Sequence, residues 1–142
     1  MLQKDVVISI YGKQTDDQGN EDVVELVTTG MYFHDPKEEH HRLEYEETEV
    51  SGVEGTHTRI DVKDGIVSIS RSGSSEGHMQ LTEGQKYVSS FSTPIGMVEL
   101  GFFPTKVDTD LSDSSGNLDL EYQMDIDGTL LGVNHLKVSY RA

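Results

Sequence analysis

The stretch Leu43-Glu44-Tyr45-Glu46-Glu47-Thr48-Glu49-Val50 decides how this chain is read. Just upstream, Asp35, Pro36 and Glu38 imitate a helix start, with an N-cap, a proline at the first helical position and an acid three places after the cap. The residues after Glu38 supply no stripe at helical spacing, since Leu43 and Tyr45 are two apart, the period of a strand. Read as a strand, the stretch puts Leu43, Tyr45 and Glu47 on one face. A second stretch, Ile66–Gly73, likewise puts Val67, Ile69 and Arg71 on its apolar face. One carboxylate and one guanidinium are therefore expected to point inward.

Working outward, the same alternation covers the chain. Strands are expected over residues 5–11 and 22–34, separated by a polar loop at 14–20, with Gly30 marking a bend or a close backbone approach. Thr56–Lys63 alternates Thr58, Ile60 and Val62 against polar partners, and Asp64-Gly65 then suits a two-residue type I′ hairpin into Ile66–Gly73. Further strands are expected over 78–83, 86–93, 97–103 and 106–111, with Pro104 as a bulge or break. Leu118, Leu120, Tyr122, Met124 and Ile126 alternate with polar residues, and Asp127-Gly128 turns the chain into a last strand over 130–140. Roughly nine or ten strands, spaced about 10 residues apart and without a convincing helix, predict an all-β fold. The expected architecture is a single antiparallel meander β-barrel spanning residues 1–142, since closure removes exposed sheet edges.

Charge narrows the partners. Eleven Lys and Arg against 26 Asp and Glu give a net charge of −15, which repels nucleic acid and anionic membrane surfaces. No cysteine is present, so disulfides and thiolate metal sites are excluded, in keeping with a cytoplasmic location. No apolar run reaches the roughly 18 residues of a membrane helix, and no signal-peptide core is expected near Met1. Glu44, Glu46, Asp119, Glu121 and Asp125 read as a solvated outer face.

Several short motifs follow one another: Gly30-Met31-Tyr32, Tyr45-Glu46-Glu47, Gly55-Thr56-His57-Thr58, Arg71-Ser72-Gly73 followed by Met79, the stretch from Phe91 to Gly96, and Leu118 to Tyr122. In their order and spacing the chain resembles the YwiB-like family, small uncharacterised bacterial proteins, mostly from Firmicutes, with a calycin-type, lipocalin-like β-barrel. The resemblance covers nearly the whole length. It implies that fold and a cytoplasmic bacterial setting, and it implies no activity. The small-ligand binding of lipocalins bears on this chain only as an analogy of fold.

No motif names a reaction. Gly73-Ser74-Ser75-Glu76-Gly77 matches a nucleophile-elbow string, but such an elbow needs a helix after it, and residues 78–83 read as a strand. His34, His40 and His41 read as exposed loop histidines, and Asp108, Asp110 and Asp113 lack the glycine of a calcium loop. The candidate site is the inward polar set of Glu47, Arg71, Tyr45, Tyr122, Thr93 and Asn134. Glu47 and Arg71 are expected to neutralise one another, because unpaired buried charge is costly. Arg71 could also receive the anionic head of a small ligand whose apolar body lies along Val67, Ile69, Leu120 and Phe91. No catalytic residue, metal or cofactor is assigned. The expected function is a non-enzymatic binding module for a small amphipathic or anionic ligand in the barrel lumen. The alternative is a protein with a filled interior whose acidic exterior meets a partner protein, itself unknown.

Overall fold

A computed structural model describes residues 2–47, 55–73, 77–93 and 96–142, without the side chains of 91–93. The chain forms ten strands: β1 (Leu2–Asp16), β2 (Glu21–Asp35), β3 (His40–Glu46), β4 (Thr56–Lys63), β5 (Ile66–Gly73), β6 (Gly77–Leu81), β7 (Tyr87–Thr93), β8 (Gly96–Leu111), β9 (Ser115–Ile126) and β10 (Thr129–Arg141). They belong to one sheet in the order β6-β5-β4-β3-β2-β1-β10-β9-β8-β7. Every ladder is antiparallel, and β1 pairs with β10 over ten residue pairs from Val7↔Arg141 to Asp16↔Gly132. The meander is thus a nearly closed barrel whose remaining seam lies between β6 and β7. There the two edge strands meet through side chains, His78 lying edge-on to Tyr87 at 6.0 Å.

Turn chemistry explains the hairpins. Asp64 and Gly65 have φ of 53° and 75°, and Asp127 and Gly128 have 47° and 86°, the paired positive values that a type I′ turn requires. At Gly30 the β3 backbone passes close to β2. A Cβ there would strike the Glu44 carbonyl oxygen and lie 2.6 Å from Ile8 Cδ1, so the close backbone approach expected at this glycine is observed.

Several expected boundaries move, among them the start of β3, at His40 instead of Leu43, and the end of β6, at Leu81 instead of residue 83. β1 runs on through Lys13, Gln14 and Thr15 because the backbone ladder to β2 continues as far as Thr15↔Glu21, whatever the side chains are. The loop shrinks to a turn in which Asp16 Oδ1 accepts from the amides of Gln18 and Asn20, both at 2.9 Å. Residues 97–103 and 106–111 form one strand, β8, with a register shift between Pro104 and Lys106 where proline has no N–H to give. The end of the expected strand at residues 48–50, and Ser75 with its neighbours, lie outside the described residues. On either side of that string stand β5 and β6, so the helix an elbow needs does not follow.

Inward residues from all parts of the barrel build the core, among them Val6, Ile8, Tyr32, Leu43, Ile60, Val67, Leu81, Phe102, Leu118, Leu120, Val138 and Tyr140. Val67, Leu81 and Leu120 have no accessible surface, so no water-sized space borders them. An interior hollow beside His41, Leu43 and Tyr140 measures about 10 Å³, the room of about one water. No helix among the described residues is long and apolar enough to cross a membrane.

Candidate functional site

The barrel has two ends with different chemistry. At the end carrying the β1–β2, β3–β4, β5–β6, β7–β8 and β9–β10 connections, Tyr45, Thr58 and Arg71 lie in direct register across β3, β4 and β5. Glu47 follows just beyond β3, its amide donating to the Thr56 carbonyl at 2.8 Å. Thr58 Oγ1 donates to Glu47 Oε1 at 2.7 Å, inside the core. Arg71 Nε stands 3.9 Å from the same oxygen, with its side chain 45% exposed against 3% for Glu47.

The two charges expected to meet are therefore brought together, but unequally. Both are on the expected face. Arg71 sits at the rim because β5 reaches the barrel end two residues later, at Gly73. Tyr45 and Tyr122 are buried beneath. Burial pushes the Tyr45 hydroxyl well above its ordinary range, and the Glu47 carboxylate pushes it the same way. Burial also raises Tyr122, against the pull of the Arg71 guanidinium. Asn134 is the cross-strand neighbour of Tyr122, but its amide reaches Met124 Sδ at 4.0 Å instead of joining the pair. The side chains of Thr93 and Phe91 lie outside the described residues. The apolar body of a ligand finds no room along Val67 and Leu120, which the core fills; that part of the expected lumen site is corrected.

On the outer face the expected solvated acids are paired. His57 spans Glu44 and Glu46 at 2.9 and 2.6 Å. Those two carboxylates, Glu44 foremost, raise His57 above the ordinary imidazole range. Asp119 takes Lys106 at 2.9 Å and His135 at 2.7 Å, and Lys86 reaches Asp125 at 2.9 Å. Asp61 accepts from His40 and Arg42, both at 2.7 Å, with Arg59 at 3.0 Å.

The opposite end corrects the reading of the histidines. His34 lies in β2 and His41 in β3, opposite one another in the ladder, with only His40 turned outward to Asp61. The His34 and His41 rings stack at 4.3 Å and 7°. His34 Nδ1 is 2.7 Å from Asp113 Oδ1, and His41 Nδ1 is 2.6 Å from the Tyr32 hydroxyl. Burial, with His34 close by, holds His41 below the usual imidazole range. Asp113 is thus drawn away from Asp108 and Asp110 to the histidines. Counting two residues on from Tyr32 and two back from Leu43 would have placed both rings inside. The Asp35 to Glu39 segment hid them, because its length as a turn sets the register.

A family model described as a domain of unknown function, DUF1934, matches residues 8–138. The chain belongs to the DUF1934 family. The chain is similar to the uncharacterised beta-barrel protein YwiB of Bacillus subtilis (strain 168), 24% identical over 141 residues, covering 98% of this chain and 96% of YwiB. The crystal structure of the ywiB protein from Bacillus subtilis superposes with a TM-score of 0.84 at 22% identity, over 99% of this chain and 92% of that one. At this identity the likeness establishes a shared barrel. DUF1934 carries no described activity.

Proposed function

We propose that the protein is a non-enzymatic binding module that takes the anionic head of a small molecule on Arg71 at the barrel mouth, outside the filled lumen. One observation carries this reading: within a single ion pair, Glu47 is 3% exposed and Arg71 is 45% exposed at 3.9 Å. A guanidinium has five N–H donors in a fork that fits a carboxylate or phosphate. A single contact of that length among the described residues engages few of them, while Glu47 is already served by Thr58. The half-exposed guanidinium thus stands beside a buried carboxylate with donors to spare for an incoming anion.

The test is an NMR titration of acetate, hexanoate and inorganic phosphate, following Arg71 Nε–H and the Tyr45 and Tyr122 rings. Saturable Arg71 shifts that vanish in Arg71→Met are expected. Shifts that persist in the variant, or none in the parent, would favour a second reading supported by the filled core and the net charge of −15. In that reading the barrel is a rigid acidic body that meets a basic protein partner.

A further inference from the structure

His34 and His41 face each other where β2 and β3 turn, and each ring is held by its Nδ1. An ionised carboxylate can only accept, so the contact with Asp113 puts a His34 proton on Nδ1, and in the neutral imidazole Nε2 then carries the lone pair. That Nε2 is buried and has no hydrogen-bond partner among the described residues. A buried imidazole nitrogen left in this state is costly unless a proton donor or a metal ion meets it. His41 Nδ1 is engaged by the Tyr32 hydroxyl at 2.6 Å, and in the tautomer with the proton on Nδ1 its Nε2 offers a lone pair. The third member is Glu39. It closes the turn in the left-handed region at φ 49°, a conformation unfavourable for a residue with a side chain, which here sets its carboxylate beside the two rings. The ligand atoms of His34, Glu39 and His41 all lie within 4.8 Å of one another.

We propose that His34, His41 and Glu39 bind one divalent first-row transition-metal ion of the zinc class, through Nε2 of each imidazole and a carboxylate oxygen, with a fourth position open to water or an exogenous ligand. Two imidazoles and one carboxylate select against magnesium and calcium, which prefer oxygen alone. On a tetrahedral ion with bonds of about 2.1 Å, neighbouring ligand atoms are about 3.4 Å apart. Rings stacked at 7° hold their in-plane lone pairs parallel, so binding an ion requires the two imidazoles to turn toward one another. Asp113 and Tyr32 supply the outer hydrogen bonds that metal-bound histidines need to hold their tautomer and orientation. Because Asp113 comes from the connection between β8 and β9, an ion here would tie that turn to the β2–β3 turn. None of this depends on Arg71, which belongs to the other end.

The test uses the whole 142-residue chain, stripped with a chelator and titrated with ZnCl₂ by calorimetry and by ring-nitrogen NMR. Saturable binding of one ion per chain is expected, with the His34 and His41 Nε2 resonances shifting together. His34→Ala and His41→Ala should abolish it. Glu39→Gln, on an exposed turn where folding is not at risk, should weaken it. Asp113→Asn should weaken it about 10- to 100-fold and disturb the His34 tautomer signal. His40→Ala should leave it unchanged, since His40 is engaged by Asp61 on the outer face. Absence of saturable binding would overturn the proposal. So would binding equal in the parent and both histidine variants, or binding displaced by equimolar MgCl₂.

Discussion

Thr58 donates its hydroxyl to the Glu47 carboxylate at 2.7 Å in the core, closer than any cation comes to that carboxylate among the described residues. The buried charge therefore rests on a neutral donor more than on its ionic partner. Thr58→Val keeps the shape and removes the donor, and is expected to cost about 1.5 to 3 kcal/mol in urea denaturation. Arg71→Met, acting on a half-exposed contact at 3.9 Å, should cost less than about 1 kcal/mol. If Arg71→Met proves the more damaging of the two, the guanidinium is the true counter-charge.

His57 makes stability depend on pH near neutrality. Its folded pKa is raised above the ordinary 6.5, first by the hydrogen bond to Glu44 and then by that to Glu46. A raised value means the stabilisation is fully present below the unfolded pKa and fades as pH rises through the folded one. Compared with His57→Gln, the parent should show its largest advantage at the acidic end of that window and lose it on the alkaline side. An NMR titration of the His57 ring checks the direction independently.

Asp61 should act in the opposite sense. Burial alone would raise its pKa, but hydrogen bonds from Arg42 and His40, with the Arg59 charge, outweigh that and lower it below 3.8. Its contribution is present above the unfolded pKa and lost as pH falls through the folded one. Asp61→Asn should cost on the order of 1 to 3 kcal/mol at neutral pH, with the gap to the parent narrowing in acid-denaturation curves.

Gly30→Ala must fit a methyl between the Glu44 carbonyl and Ile8 Cδ1, and overpacking of this kind costs about 1 to 3 kcal/mol. Gly12→Ala, in the same hairpin, adds a methyl that meets nothing within 4 Å. Thermal melts of the two variants should separate clearly, with Gly12→Ala near the parent.

The parts of the fold that were legible are those whose side chains and turn residues agree. Thr56–Lys63 and Ile66–Gly73 could be bounded to the residue because alternation ran into Asp64-Gly65 from both sides. β1 was read short because Lys13 and Gln14 carry no apolar signal, although their backbones still pair. For the site, alternation gave the face of Glu47 and Arg71 correctly but not the depth. Nothing in a strand's period says how near its residues stand to the barrel rim. The histidines needed the length of the β2–β3 turn before their parity meant anything, and the helix-like Asp35-Pro36 obscured it.

The ladder between β1 and β10 has a consequence for how the chain comes to be folded. β1 can pair with β2 soon after both exist, but its other edge stays bare until nearly every later strand has been made. Closing a ring whose first member waits for its last is a non-local event, slow by the standards of local hairpins and open to wrong partners in the interval. Pulse-labelled hydrogen exchange should therefore find the β4–β5 hairpin protected early and the β1–β10 amides last.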